Sequence, residues 1–197
     1  TRKTQKITST MQSVALSKLY KAKQIMEQSK PYAQKMMEVI GHIAHSHSEY
    51  KHCFFEKPAR KVKRIGYLVV SSDRGLCGGL NGNLFKKVIK ELRELEKKHI
   101  KVSMCLIGNK AIQYFERLDV EVVGHAKQLG DRPSVVDTVG IVQMMLDRYR
   151  AGELDAVYIA SNQFVSMMSQ KPELVQLLPL VAAESEHIAK GHWDYLY

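Results

Sequence analysis

Ile65-Gly66-Tyr67-Leu68-Val69-Val70-Ser71, followed at once by Ser72-Asp73-Arg74-Gly75-Leu76-Cys77-Gly78-Gly79-Leu80-Asn81, is the stretch that decides the fold. The first part is almost continuously apolar, which is typical of a strand buried on both faces. The second part is rich in glycine and leads into a helical pattern, so it predicts a tight strand-to-helix turn. A buried strand that passes directly into a helix indicates the first unit of an α/β domain.

The sequence after this turn alternates between helical and extended patterns. Helices are predicted at 80–97, 110–118 and 133–150, and strands at 102–107, 120–123 and 156–161, with a possible further strand at 173–180. Strands that alternate with helices of this length imply crossover connections and a mostly parallel sheet. We therefore predict the α/β fold class, with a small Rossmann-like domain over residues 65–197.

Before the strand, residues 4 to about 51 carry the pattern of a single long helix. Its apolar residues recur every three or four positions and form one narrow stripe: Met11, Ala15, Leu19, Ala22, Met26, Ala33, Met36, Ile40 and Ile43. Pro31 is expected to bend the helix or to open its hydrogen-bond ladder. A helix of this length spans about 70 Å, too long to bury its stripe against a small domain. We predict half of a coiled coil over residues 1–56, followed by a basic linker at 57–64.

The charge is strongly basic and unevenly distributed. There are 30 Lys and Arg residues against 20 Asp and Glu residues, and the excess lies mainly in residues 1–30 and in the linker. Such a balance implies an acidic partner. A nucleic-acid-binding adaptor is one alternative, but the lysines are scattered around an apolar stripe with few aromatic residues, so a protein partner explains more positions.

The cysteines and the apolar runs exclude several classes of protein. Cys53, Cys77 and Cys105 are odd in number and form no CxxC pair, which argues against a disulfide framework and a zinc site. Cys105 lies in an apolar run and is predicted to be buried, and a reducing, cytoplasmic setting is expected.

No apolar run is long enough to span a bilayer, and no secretory signal is expected. Because the sequence lacks an initiator Met, we expect residues to be missing from that end.

The glycine-rich turn at Gly75–Gly79 is the main candidate for chemistry. It occupies the place where nucleotide-binding α/β proteins put a phosphate loop. Its spacing fits neither GxGxxG nor GxxxxGK[ST], so a structural turn is favoured, and a nucleotide-binding enzyme is the alternative. Cys77 lies near a helix N-terminus, but no histidine is close to it in sequence, and a catalytic role is disfavoured.

Two further clusters are interpreted as structural. Among His42, His45, His47 and His52, only the first two share a helix face, so a polar helix end is favoured over a metal site. Residues 166–172 are predicted to form a turn or edge segment, with Met168 inside it and Phe164 just before it as packing residues. No cofactor and no metal are predicted.

Several strings, taken together, are similar to one known family: Thr4-Gln5-Lys6-Ile7-Thr8, Pro31-Tyr32-Ala33, the segments 39–45 and 66–83, Met168-Ser169-Gln170-Lys171-Pro172, Gln176-Leu177-Leu178-Pro179-Leu180 and His192-Trp193-Asp194-Tyr195-Leu196-Tyr197. In order and over essentially the whole chain, they resemble the gamma subunit of F-type ATP synthase, and they look closest to its bacterial form.

The resemblance implies a central-stalk rotor subunit without chemistry of its own. In that family the N- and C-terminal helices form an antiparallel coiled coil inside a ring of alpha and beta subunits. Rotation of the coil links ATP chemistry in the ring to proton flow through the membrane c-ring, and the α/β domain joins the epsilon subunit and the c-ring. The resemblance also implies that Met11, Lys18 and Leu19 contact the alpha/beta ring and that Tyr195 contacts the c-ring.

The same resemblance implies a peripheral position on the cytoplasmic face of the bacterial inner membrane, with membrane contact only through the c-ring. The family's second long helix would follow Tyr197, where this sequence ends. The apolar stripe of the first helix would then lack its covering strand. We therefore expect the isolated chain to self-associate through this helix or to fray it.

Overall fold

The computed structural model describes residues 2–46, 52–56, 61–130 and 133–180, with backbone alone for residues 42–46. These residues fall into two compact units, one containing the N-terminal helix and the other spanning Lys51–Val181. The helix, α1, covers Arg2–Ser46 and continues through Pro31. One long N-terminal helix was therefore predicted correctly, although its described end comes about five residues before the expected one.

The second unit is an α/β domain whose elements alternate as predicted. In chain order they are β1 Arg64–Val70, α2 Leu80–Lys97, β2 Lys101–Ile107, α3 Asn109–Phe115, β3 Glu121–Ala126, α4 Val135–Arg150, β4 Ala156–Ser166 and β5 Ser169–Leu178. The five strands form one sheet in the order β3-β2-β1-β4-β5. Strands β1 to β4 pair in parallel, and only β5 runs antiparallel to its neighbour β4. The predicted α/β class with a mostly parallel sheet is confirmed.

The strand β1 is central in the sheet, and its alternate side chains enter two separate cores. Tyr67 and Val69 pack with Leu84, Val88 and other residues of α2 and α3 on one face of the sheet. Leu68 packs with Cys105 and with residues of α4 on the opposite face. Because both faces are covered by helices, β1 has no polar side, which explains its continuous apolar sequence. Cys105 is fully buried as predicted, and burial raises the pKa of its thiol to about 11.

The end of the sheet at β4 and β5 agrees with the prediction of a turn or edge segment at residues 166–172. Met167 and Met168 make the turn of a hairpin, and residues 169–172 begin β5, the strand at the edge of the sheet. Pro172 lies inside β5, opposite Asn162. Proline has no N–H to donate, and β5 tolerates it because this strand is at the edge of the sheet.

Candidate interaction surfaces

The apolar face of α1 is the first candidate surface. Met11 and Lys18 are seven residues apart, about two helical turns, and therefore lie on the same face. Both side chains are exposed, whereas Leu19 is half-buried at the margin of this face. The face also exposes large apolar side chains before, between and after them: Ile7, Val14, Ile25, Met26 and Met36. Since water surrounds a stripe of aliphatic and thioether groups, this face has the composition of a contact surface.

Several polar side chains of α1 find their hydrogen-bond or ion-pair partners within the helix itself. The hydroxyl groups of Thr8, Thr10 and Ser29 donate to the carbonyl oxygens four residues earlier, at 2.8–2.9 Å. Lys23 and Glu27 form an ion pair one turn apart, at 3.5 Å. The hydroxyl groups are thus satisfied by the helix backbone, and the ion pair adds a small local stabilisation.

The turn after β1 is held by a dense set of hydrogen bonds. The Asp73 carboxylate accepts the backbone N–H groups of Asn109, Gln128 and Leu129 at 2.8–3.2 Å. Desolvation by burial would raise the pKa of Asp73, but these hydrogen bonds outweigh it and hold the pKa below its ordinary value. Asp73 therefore ties the end of β1 to the loops that follow β2 and β3.

Asn81 and Ser71 complete this arrangement from two sides. The Asn81 amide donates to Ser72 Oγ at 2.8 Å and to Cys77 Sγ at 3.3 Å, and its oxygen accepts the Ser72 N–H. Ser71 Oγ donates toward the carbonyl oxygen of Ile107 at 3.2 Å and accepts the Ala111 N–H at 2.8 Å. The polar side chains of the motif thus serve the loop itself, which supports the predicted structural turn.

A crevice of about 790 Å³ opens at this carboxyl edge of the sheet. In open α/β sheets such an edge is the usual place for ligands. Here the Asp73 carboxylate, next to Arg74 on the crevice wall, occupies backbone donors that a phosphate oxygen would need. The arrangement therefore disfavours the nucleotide-binding alternative.

Cys77 is half-buried, and its sulfur accepts a hydrogen bond from the Asn81 amide. Among the described residues, no histidine ring is recorded as its hydrogen-bond partner. In the residues with described positions, no group of three His, Cys, Asp or Glu side chains could hold a metal ion. The side chains of His42, His45 and His47 lie outside that set. His52 is described, and its Nδ1 accepts the Phe54 N–H at 3.3 Å.

Two exposed apolar side chains at the carboxyl edge were missed by sequence reasoning. Leu76 is 96% exposed and has a φ of 61°, a conformation that costs a leucine energy. Met168, at the tip of the β4–β5 hairpin, is 94% exposed, so its prediction as a packing residue is wrong. Phe164, the other residue of that prediction, is half-buried. The two-residue hairpin explains the difference, because a turn residue projects away from the sheet.

The sequence matches the family model described as ATP synthase over residues 1–197, the whole chain. This chain belongs to that family. The family is that of the gamma subunit of F-type ATP synthase, a non-catalytic stalk subunit of an enzyme complex. The resemblance noted from the sequence strings is thereby confirmed at the level of the family, as is the prediction that the chain is not itself a catalyst.

Solved rotor structures of two organisms resemble the chain more distantly. The rotor of the Euglena gracilis mitochondrial ATP synthase in rotational state 1 shares 16% identity at a TM-score of 0.44, and the match covers 82% of this chain and 61% of that one. The Tetrahymena thermophila mitochondrial ATP synthase central stalk and c-ring structure shares 17% identity at a TM-score of 0.48. That match covers 79% of this chain and 72% of the other. The chain thus spans under two thirds of the Euglena rotor chain, and family membership rests on the whole-chain sequence match.

Three of the four predicted contact residues, those in α1, lie in the described part of the chain. Met11 and Lys18 share one exposed face, and Leu19 borders it. Tyr195 lies outside the described residues. None of the helices whose positions are described is long and apolar enough to cross a bilayer.

Proposed function

We propose that this chain acts as the central-stalk rotor subunit of an F-type ATP synthase, coupling rotation of the membrane c-ring to catalysis in the alpha/beta ring. The observation that carries the proposal is the apolar face of α1, exposed along a 45-residue helix in a member of the gamma-subunit family. A stripe of this length suits a shaft that contacts other chains along its axis.

The side chains of this face suit a surface that meets several partners in turn. A shaft inside a ring of three equivalent subunits presents the same face to each of them during one revolution. Met11, Met26 and Met36 are unbranched and adaptable, so they can repack against slightly different surroundings. Lys18, placed between apolar neighbours, adds a charge that acidic groups of the ring would attract.

Each region of the chain has its own partner subunits in this proposal. Met11, Lys18 and Leu19 contact the alpha and beta subunits, Tyr195 contacts the c-ring, and the α/β domain joins the epsilon subunit and the c-ring. The enzyme is the bacterial form, located on the cytoplasmic face of the inner membrane and touching the membrane only through the c-ring. A second long helix following Tyr197 in the full-length protein completes the coiled coil. The residue strings quoted from the sequence support these points.

The test is rotation of the full-length protein that contains this sequence, assembled with alpha and beta subunits. Met11→Ala and Lys18→Glu are expected to weaken assembly or to slow rotation about tenfold, the usual cost of losing an interface anchor. Leu16→Ala is the matched control, because Leu16 is exposed on the opposite side of α1. Equal effects of all three variants, or no effect of any, would contradict the assigned face.

A calorimetric titration separates this proposal from the nucleotide-binding alternative. The rotor assignment predicts no micromolar binding of ATP or NAD by the isolated chain, since Asp73 occupies the backbone N–H groups of Asn109 and Leu129 at the crevice. Micromolar binding that Asp73→Asn alters would instead favour a ligand site in the crevice.

A further inference from the structure

The two ends of the α/β domain are joined to each other at one point, around Phe54. The domain begins at Lys51 and ends at Val181. Close to both limits, the backbone N–H of Leu180 donates to the carbonyl oxygen of Phe54 at 2.6 Å. The connections that lead from the domain to the rest of the chain therefore both start within a few residues of this hydrogen bond.

The ring of Phe54 is held by the end of α4. It is half-buried and, like Leu180, packs against the core cluster that contains Leu178 and Tyr149. The Phe54 and Tyr149 rings lie 6.0 Å apart between centroids, and the guanidinium carbon of Arg150 lies 5.1 Å from the Phe54 centroid. A cation above an aromatic face is attracted by it. We call Phe54, Tyr149, Arg150 and Leu180 the clasp.

The turn that carries Phe54 is shaped by contacts of its own. The backbone N–H of Phe55 donates to the His52 carbonyl oxygen at 2.9 Å, and the N–H of Phe54 donates to His52 Nδ1 at 3.3 Å. The His52 ring meets the Phe54 ring edge-on, with centroids 4.8 Å apart. These contacts lie within residues 52–56, so they form the turn, whereas the clasp attaches it to α4 and to the end of β5.

Beyond the clasp, the chain is held again by the Asp155 carboxylate. This carboxylate is almost fully buried and accepts the backbone N–H groups of Lys63 and Arg64 at 2.7 and 2.9 Å. The nine-residue step from Phe54 to Lys63 can extend to about 30 Å when nothing holds it. On the other side, Leu180 lies two residues past the end of β5. Opening the clasp would therefore release slack mainly on the side that leads to α1.

We propose that the clasp is the point at which torque passes between the α/β domain and α1, with Phe54 as the positioning residue that keeps the two connections together. This inference rests on the proposed rotor function. While the clasp is closed, a load on either connection is transferred to α4 and β5, which belong to the domain core. When it is open, the domain turns through part of a revolution before the slack is taken up and the helix follows.

Hydrogen exchange of the Leu180 amide measures whether the clasp opens, and this experiment needs only the chain itself. Phe54→Ala removes the ring and is expected to speed exchange of this amide at least about tenfold, because exchange requires the hydrogen bond to Phe54 to open. The amide of Leu106, a buried residue of β2, should keep its protection, which shows that the opening is local. Phe54→Tyr keeps the ring and should restore slow exchange.

Phe55→Ala is the matched control, because it makes the same change one residue further on. Phe55 is also half-buried, but its ring contact is with His52 of the same turn, at 6.5 Å between centroids, and it is not part of the cluster around Tyr149. This variant should leave the exchange of the Leu180 amide slow. Equal acceleration by Phe54→Ala and Phe55→Ala, or none by either, overturns the clasp.

The torque itself is measured in the full-length protein, assembled with its partner subunits in sealed vesicles. Phe54→Ala should retain ATP hydrolysis but lower the number of protons pumped per ATP at least about twofold, the loss expected once the open clasp is as populated as the closed one. Phe54→Tyr and Phe55→Ala should pump as the unsubstituted protein does. Unchanged pumping in Phe54→Ala overturns the proposal and leaves the rotor function intact. If the unsubstituted protein assembles and pumps no protons, the rotor function itself fails, and the torque role of the clasp fails with it.

Discussion

The helix α1 and the α/β domain use the same kinds of apolar residue in opposite ways. Met104 and Met145 in the domain are fully buried, whereas Met11 and Met37 of α1 are 54% and 59% exposed. In the domain, two layers of helices cover a central sheet, and the apolar residues of its two cores gain their stability inside the chain. In α1 the apolar residues mark a surface, so the same side chain has a structural role in one region and a contact role in the other.

Gly108 provides the largest expected effect and tests how rigid the domain is. Its φ is 93°, and a Cβ atom there would overlap the backbone oxygen of Ser71. Gly108→Ala is expected to lower the free energy of unfolding of the domain by about 4 kcal/mol or more, or to prevent folding. Urea unfolding followed by tyrosine fluorescence measures the change.

Gly82→Ala is the control for Gly108→Ala. Gly82 lies inside α2, and a Cβ atom there would meet nothing within 4 Å. The substitution is expected to raise stability by about 0.5–1 kcal/mol, because alanine favours the helix. A stable Gly108→Ala variant would show that the carboxyl edge of the sheet can move, which the arrangement around Ser71 forbids.

A pair of identical substitutions tests the comparison directly. Met145→Ala removes a fully buried side chain that packs against β1 and should destabilise the domain by about 2–4 kcal/mol. Met11→Ala removes an exposed side chain and should leave the urea midpoint of the isolated chain nearly unchanged. If Met11→Ala proved as destabilising as Met145→Ala, α1 would have to be part of the folded core.

The Asp73 hydrogen bonds predict a pH-dependent effect of moderate size. Because the pKa of Asp73 lies below its ordinary value of 3.8, the carboxylate stabilises the fold above that pH. Its contribution is lost as the pH falls below about 4. Asp73→Asn should therefore cost about 1–3 kcal/mol at pH 7 and progressively less in acid. A stability difference that stays constant between pH 7 and pH 3 would contradict the assigned role.

Substitutions on the exposed face of α1 are expected to change the stability of the chain least and its self-association most directly. The isolated chain is expected to self-associate through this face, and sedimentation equilibrium should show dimers that Met11→Lys reduces. Leu16→Lys, on the opposite side of α1, should leave the dimers unchanged. A monodisperse monomer whose helix is protected in hydrogen exchange would contradict the prediction.

The sequence specified most elements because local patterns are strong in this chain. Residues 80–97 were predicted as a helix with the observed bounds, since their apolar residues fall on one face and glycines precede them. The strand at 65–71 was recognisable by its continuous apolar run. The edge segment at 166–172 was also predicted, but its division into the end of β4, a two-residue turn and the start of β5 was not, because Pro172 and the polar residues around it look like a loop until β4 supplies a partner for the strand. The domain boundaries at 56, 64 and 197 remain predictions.

Sequence alone determined the α/β class, the long amphipathic helix and the family, because periodicity and motif strings are properties of neighbouring residues. The tertiary structure decided what those residues do. Only the folded sheet brings Asp73 to loops that follow β2 and β3, more than 30 positions away in the chain. Likewise, only the fold exposes Leu76 and Met168, because exposure depends on what the rest of the chain covers.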